Sequence, residues 1–124
     1  MRQEIARRYD EALADDGHFI LPPTGPGDAR HLYPLRLNPE RLSIDRAGFA
    51  AKMQEQGIGI SVHFIPLHTM PYYKKRYSLE DEDFPETLDA YRRTISLPIW
   101  PGMTEPQISR VITTVKNLGS EYDK

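Results

Sequence analysis

The sequence predicts an α/β (α+β) fold, a small two-layer sandwich in which helices pack on one face of a roughly three-stranded, mostly antiparallel or mixed sheet. Helical and extended segments alternate in the order α–β–α–β–α–α–β–α. The extended segments are short and bounded by proline, of which the chain has 11 residues. Strands with one apolar face need helices to cover it, and short, proline-limited strands suit an antiparallel or mixed sheet. The 124 residues fit one domain spanning 1–124.

The chain is predicted to open with a helix, a loop and a strand. Residues 2–14 carry apolar side chains at helical spacing, and residues 22–28 are rich in proline and glycine, as loops are. Residues 31–37 alternate between two faces, as a strand does. Pro34 cannot donate to a ladder, so we expect an edge strand or a bulge there. One face carries His31, Tyr33, Leu35 and Leu37, and the other carries Leu32, Pro34 and Arg36.

A second helix and a second strand are predicted next. The helix covers residues 44–56, with Asp45 or Ser43 as its N-cap and Gly57 as the residue after its last turn. Residues 58–65 read as a strand that stops at proline. Because side chains alternate along a strand, one face would carry Ile58, Ile60, Val62 and Phe64 toward the core and the other Gly59, Ser61 and His63.

The last third of the chain is predicted to end in a long amphipathic helix. Thr104 and Gln107 fit a capping box at its start, and Gly119 is expected to stop it. The elements before it are a short helix over 69–77, an acidic loop over 80–83, a helix over 85–93 and a strand over 95–99.

Composition excludes several classes of function. The net charge of −2 gives no electrostatic case for nucleic acid or an anionic membrane as a partner. No apolar run is long enough to span a bilayer, and the first residues do not resemble a signal peptide. There is no cysteine, so disulfides and thiolate metal sites are excluded. We expect a cytoplasmic location.

Two histidines are the candidate ligand-binding residues. His63 would lie on a strand face beside only glycine and serine, which leaves space for a ligand or another domain; an imidazole there can donate, accept or carry a positive charge beside a phosphate. The alternative is a solvent-facing or interface histidine bonded to backbone. His68 lies in the following loop, where it can approach a ligand, or it caps the helix ahead of Pro71. A zinc site would need a third protein ligand, so no metal site is predicted.

A cluster of aromatic and basic residues over 72–77 has two interpretations. It could stack a base or meet phosphate. Alternatively, the tyrosines pack on the sheet edge while the cations are solvated and neutralised by the acidic residues 80–83.

The order of motifs along the chain resembles a known family. His63-Phe64-Ile65-Pro66-Leu67-His68 is followed by Met70-Pro71-Tyr72-Tyr73 and later by the run from Ser96 to Thr104. Together these resemble the C-terminal small domain of the DegT/DnrJ/EryC1/StrS family of fold-type I aminotransferases, which use pyridoxal 5'-phosphate (PLP) and nucleotide sugars.

The resemblance implies a function and a site. It implies amino transfer from glutamate to a nucleotide-linked keto sugar for cell-surface polysaccharide or amino-sugar biosynthesis, by a PLP-dependent homodimer. His63, Phe64 and His68 would bind substrate. The family usually has tyrosine where this chain has Phe64, so a phenolic hydroxyl is missing.

The resemblance also implies that the residues of catalysis lie elsewhere. None of the five lysines has a context that suits a Schiff base, so we expect no catalytic residue, no bound PLP and no transaminase activity in these residues alone. An excised domain should expose apolar surface. The side chains expected to be exposed in that case are Trp100, Tyr72, Tyr73, Leu32 and Phe19.

The alternative to an excised domain is a stand-alone α/β module for ligand binding or dimerisation.

Overall fold

Three short strands form one antiparallel sheet, and five helices surround it. The computed structural model describes residues 1–124. The strands are β1 (Phe19–Ile20), β2 (Tyr33–Leu37) and β3 (Thr94–Leu97), in the order β1-β2-β3. The helices are α1 (Arg2–Leu13), α2 (Arg46–Glu55), α3 (Pro71–Tyr77), α4 (Pro85–Arg93) and α5 (Glu105–Glu121). Two 3₁₀ turns lie at Leu67–Thr69 and Asp81–Asp83. The predicted fold class is confirmed.

The hydrophobic core lies between one face of the sheet and helices α1, α2 and α5. It contains 19 buried apolar residues. The predicted alternation of β2 is confirmed, because Tyr33, Leu35 and Leu37 are all buried. Edge-to-face aromatic contacts join the layers: the Tyr9 and Tyr33 ring centroids lie 5.0 Å apart. No helix of the structure combines the length and the apolar character that crossing a membrane requires.

The segment 58–65 is not a strand, and this prediction is wrong. A single bridge joins Ser61 to Ser96 of β3. In an antiparallel ladder the next hydrogen-bonded pairs would be His63 with Thr94 and Gly59 with Pro98. The N–H of Thr94 already bonds to the Ala90 carbonyl at the end of α4, and proline has no N–H. The ladder therefore stops on both sides of the bridge.

The strand missing from the prediction is β1, which pairs with the end of β2. Phe19 pairs with Leu37 and Ile20 with Arg36. Phe19 is only 6% exposed, so its predicted exposure is wrong. Because β1 has two residues, its pairing stops short of Pro34.

Pro34 lies in the central strand, contrary to the expected edge position. It stands opposite Ser96. Both backbone groups of Ser96 bond to Ser61 instead, and β1 does not reach this far. No neighbour therefore needs the N–H that proline lacks.

Helix α5 begins as predicted but does not end at Gly119. The capping box of Thr104 and Gln107 is present, with the Thr104 N–H donating to Gln107 Oε1 at 2.8 Å. Gly119 is buried inside the helix, which continues to Glu121. A β-carbon at Gly119 would lie 3.2 Å from the Phe19 ring. The missing side chain at Gly119 allows β1 to pack closely against α5, and the glycine does not end the helix.

Candidate functional site

A cleft of about 540 Å³ lies on the sheet face that the core helices leave uncovered. Its floor is formed by side chains of β2 and β3, and one wall by α4. The opposite walls come from the chain after β1 and from the segment after the Ser61 bridge. The residues that line it are Ile20, Leu21, Pro22, Pro23, Pro34, Arg36, His63, Phe64, Pro66, Thr87, Ala90, Tyr91 and Thr94. A volume of this size is typical of small-molecule sites.

His63 is positioned in this cleft by the Ser61 bridge. The Ser96 N–H donates to the Ser61 carbonyl at 2.8 Å, and the Ser61 N–H donates to the Ser96 carbonyl at 3.3 Å. Two residues further on, His63 Nε2 lies 3.0 Å from the hydroxyl of the buried Ser96. His63 Nδ1 has no hydrogen-bond partner within the chain. The ring is therefore held by one nitrogen and can meet a ligand with the other.

Phe64 lies at the mouth of the cleft and is 97% exposed. The expectation that Val62 and Phe64 face the core is wrong, because the segment leaves the sheet after Ser61. An apolar run, consisting of Val62, Phe64, Ile65 and Leu67, is more than half exposed at every member. None of these four residues belongs to the hydrophobic core.

His68 lies apart from His63 and Phe64. It is only 6% exposed, and its Nε2 donates to the Asp81 carbonyl at 3.0 Å. Its ring centroid is 5.0 Å from that of Phe84. These contacts join the two 3₁₀ turns, and His68 does not line the 540 Å³ cleft. The substrate-binding role expected of His68 therefore has no support from this cleft and stays a prediction.

Arg36 is the cleft residue that the prediction missed. It projects from the central strand into the cleft. The signal was present in the sequence, because the alternation that buries Leu35 and Leu37 places Arg36 on the other face.

The residues present do not fit a PLP site. No lysine lines the cleft. Lys74 pairs with Asp81 at 2.9 Å, and this hydrogen bond raises the pKa of the lysine. Lys52 pairs with Glu55 at 2.9 Å, with the same effect on its pKa. A lysine that forms a Schiff base needs a lowered pKa instead.

No metal centre is formed either. The structure has no group of three or more histidine, aspartate or glutamate side chains arranged to hold an ion. His63 and His68 are directed to different partners, Ser96 and Asp81.

The other side chains predicted to be exposed differ in how far they are buried. Trp100, Tyr72 and Leu32 are exposed as predicted, whereas Tyr73 is half-buried. Tyr73 stands edge-on to Tyr72, with ring centroids 5.2 Å apart, and stacks on Tyr77 at 6.5 Å. The Lys74–Asp81 pair agrees with the second interpretation of residues 72–77, in which acidic residues neutralise the cations. The tyrosines contact one another, and α3 packs mainly on the Leu67–Thr69 turn and not on the sheet edge as that interpretation expected.

Comparison with known proteins identifies the family. An uncharacterized protein of Methanocaldococcus jannaschii, MJ1066, is 43% identical over 122 residues, which are 97% of this chain and 32% of that protein. The spore coat polysaccharide biosynthesis protein SpsC of Bacillus subtilis is 36% identical, over 94% of this chain and 31% of SpsC. The crystal structure of S. venezuelae DesV in complex with a ketimine intermediate superposes with a TM-score of 0.83 at 27% identity, covering 95% of this chain and 31% of DesV.

The chain thus spans about a third of the length of the curated relatives it matches. Residues 1–116 match the model of the DegT/DnrJ/EryC1/StrS aminotransferase family. This match covers nearly the whole sequence, and the superposition with DesV covers 95% of it. The chain belongs to the DegT/DnrJ/EryC1/StrS aminotransferase family.

Proposed function

We propose that the chain is the small C-terminal domain of a PLP-dependent sugar aminotransferase. The complete enzyme transfers an amino group from glutamate to a nucleotide-linked keto sugar, in amino-sugar or polysaccharide biosynthesis. It works as a homodimer in the cytoplasm. The name of SpsC, which refers to spore coat polysaccharide biosynthesis, and the ketimine in the DesV structure support this class of reaction for the present chain.

The observation that carries the proposal is the open cleft with His63 and Phe64 on its rim. Ser61 is exposed, and α4 forms one wall of the neighbouring cleft without filling it. An enclosed catalytic site needs a second wall, which the exposed apolar run beside the cleft is suited to contact. The cleft is one part of a substrate site whose remaining part belongs to other residues.

We assign His63 and Phe64 roles in binding the acceptor sugar. The Nδ1 atom of His63 is free to exchange a hydrogen bond with a sugar hydroxyl or a phosphate oxygen. Phe64 offers an apolar face but no hydroxyl, so it contributes contact area and excludes water. Neither residue holds the cofactor or abstracts a proton from the substrate in this proposal, because the lysine and the groups that bind PLP lie outside these residues.

A stand-alone module for dimerisation is the second candidate, and the exposed apolar run favours it equally. The two candidates differ in the size of the native polypeptide. An immunoblot of the source cells with an antibody to this chain distinguishes them. A product much larger than 14.3 kDa supports the enzyme domain, whereas an abundant product of that size supports the module.

Amino transfer is tested with the intact gene product and with the 124-residue chain. Each is incubated with PLP, glutamate and a panel of nucleotide-linked keto sugars, and the amino sugar and 2-oxoglutarate are quantified by mass spectrometry. We expect turnover by the intact product and none by the chain alone. Turnover by the isolated chain, or none by an intact product that binds PLP, contradicts the proposal.

A further inference from the structure

Arg36 differs from the arginines that stabilise this fold. It forms no salt bridge and no side-chain hydrogen bond within the chain. Arg30, by contrast, pairs with Asp10 at 2.9 Å. Arg36 stands at the middle of the sheet, between Ile20 of β1 and Thr94 of β3. A guanidinium without a carboxylate partner keeps its planar set of donors free for a ligand.

The surroundings of Arg36 in the cleft are free of negative charge. None of the 13 lining residues is an aspartate or a glutamate. His63 lines the same cleft with Nδ1 unpaired. Hydroxyl groups of Thr87, Thr94 and Tyr91 add polar atoms to walls that are otherwise formed by prolines and apolar side chains. This combination suits a molecule with an anionic group and a less polar body.

Tyr91 gives the cleft a fixed aromatic wall. The Arg46 guanidinium carbon lies 4.5 Å from the centroid of the Tyr91 ring, and the same guanidinium donates to the Tyr91 carbonyl. Arg46 has no carboxylate partner in the chain either. A second positive charge therefore lies 4.5 Å from the ring of a residue that lines the cleft, and it strengthens the attraction of the cleft for an anion.

We propose that Arg36 and His63 form a subsite for an oxyanion, in which the guanidinium binds two oxygens of a phosphate or carboxylate and His63 Nδ1 donates to the same group. Tyr91 contacts the body of the molecule. This inference rests on the proposed function and extends it, because it assigns the anionic group of a substrate to the chain's own cleft. Both a nucleotide sugar and the amino donor carry such a group.

The subsite is tested by NMR on the ¹⁵N-labelled 124-residue chain. Inorganic phosphate, uridine diphosphate and glutamate are titrated separately, and the Arg36 Nε–H and the amides of His63 and Tyr91 are followed. We expect saturable shifts with dissociation constants on the order of millimolar, because a partial site supplies only some of a ligand's contacts. Binding of the phosphates assigns the subsite to the nucleotide sugar, in agreement with the acceptor role proposed for His63. Binding of glutamate but not of the phosphates assigns the subsite to the amino donor and overturns that acceptor role.

The matched variants are Arg36→Gln and Arg92→Gln. Arg92 is also exposed and free of ion pairs, but it does not line the cleft. We expect R36Q to weaken binding at least about tenfold, which is the effect of losing ~1.4 kcal/mol of interaction, and R92Q to leave it nearly unchanged. Absence of saturable shifts at Arg36 in the unmodified chain, or equal losses in the two variants, overturns the subsite.

Failure of the subsite is distinguishable from failure of the proposed function. If the intact product aminates its sugar equally well with and without R36Q, the enzyme proposal stands and the subsite is wrong. If the intact product transfers no amino group, the enzyme proposal is wrong even when the chain binds phosphate through Arg36.

Discussion

Two phenylalanines show how differently one side chain is used in this molecule. Phe49 is 0% exposed in the core, in edge-to-face contact with Phe19 at 5.8 Å, whereas Phe64 is 97% exposed. The sequence pattern predicted that Phe64 faces inward. The difference arises because Phe49 projects from a helix packed on the sheet, while the backbone at Phe64 has already left it.

Replacing these two residues separates a structural from a functional role. We expect Phe49→Ala to lower the free energy of unfolding by about 3–5 kcal/mol through lost burial and the cavity left behind. Phe64→Ala should change it by less than about 0.5 kcal/mol, as exposed substitutions do. Urea unfolding followed by circular dichroism measures both. A large loss on truncating Phe64 would mean that the chain covers this residue in solution.

Tyr33 belongs to a network at the base of the sheet. Its hydroxyl donates to Asp10 at 2.7 Å, and Arg30 pairs with the other carboxylate oxygen at 2.9 Å. Burial, with a further contribution from the hydrogen bond to Asp10, raises the pKa of Tyr33 above its usual range. Burial alone raises the pKa of Tyr9 in the same way.

These raised pKa values predict the alkaline behaviour of the fold. A group whose pKa is higher in the folded state stabilises it fully below its unfolded pKa, about 10 for tyrosine, and loses this effect as the pH rises further. We expect the free energy of unfolding to fall above pH about 10. Tyr33→Phe should lose about 1.5–3 kcal/mol at neutral pH, the range for hydrogen bonds to charged groups, and show a shallower alkaline decline. An unchanged decline would exclude Tyr33 as its source.

At the scale of elements, Gly119 shows that packing overrides a local signal. Glycine after an amphipathic run usually ends a helix, yet α5 continues past it because β1 lies against the helix at this point. A β-carbon there would lie 3.1 Å from His18 Nδ1 and 3.2 Å from the ring of Phe19. The same Phe19 is held from behind by Phe49, so it has little room to yield.

Two opposing effects determine how Gly119→Ala changes the free energy of unfolding. Gly119→Ala gains about 1 kcal/mol of helix propensity and loses about 1–3 kcal/mol through overpacking, so a net destabilisation of about 1 kcal/mol is expected in urea unfolding. The control, Ser120→Ala, lies at an exposed position of the same helix and should be neutral or slightly stabilising. A Gly119→Ala protein that is more stable than the original would show that β1 moves away from the helix.

Elements were predictable where a local pattern is sufficient to form them. The five helices and β2 follow from periodicity, capping residues and proline positions. The two wrong predictions concern strands, namely the expected strand 58–65 and the missing β1. Whether these segments form strands depends on pairing with residues distant in the sequence. Gly59 forms no ladder hydrogen bond with Pro98 because proline lacks an N–H. His63 forms none with Thr94 because the Thr94 N–H donates to the Ala90 carbonyl of α4. The cleft was only partly predictable for the same reason: alternation could assign a face to Arg36 and His63, but not the position of α4 above it.

At the scale of the whole molecule, the exposed apolar run is the main sign of a missing partner. Val62, Phe64, Ile65 and Leu67 form a nearly continuous exposed segment beside the cleft. Exposed apolar residues grouped in this way mark contact surfaces in folded proteins. In the proposed enzyme, the larger domain or the second subunit covers them.

An uncovered surface of this kind should promote self-association of the isolated chain. We expect sedimentation velocity to show weak, concentration-dependent association, and the double substitution of Phe64 and Ile65 by serine to shift the chain toward monomer. Leu32→Ser, an exposed apolar position outside the run, should leave association unchanged. Equal effects of both variants would show that the apolar run is not the contact surface.

The most direct test of the account is steady-state kinetics of His63→Ala in the intact gene product. We propose that His63 contacts the acceptor and not the cofactor, so we expect KM for the nucleotide sugar to rise about tenfold, the equivalent of one hydrogen bond, while KM for the amino donor and PLP binding stay unchanged. An unchanged KM for the nucleotide sugar, or loss of bound PLP, would contradict it.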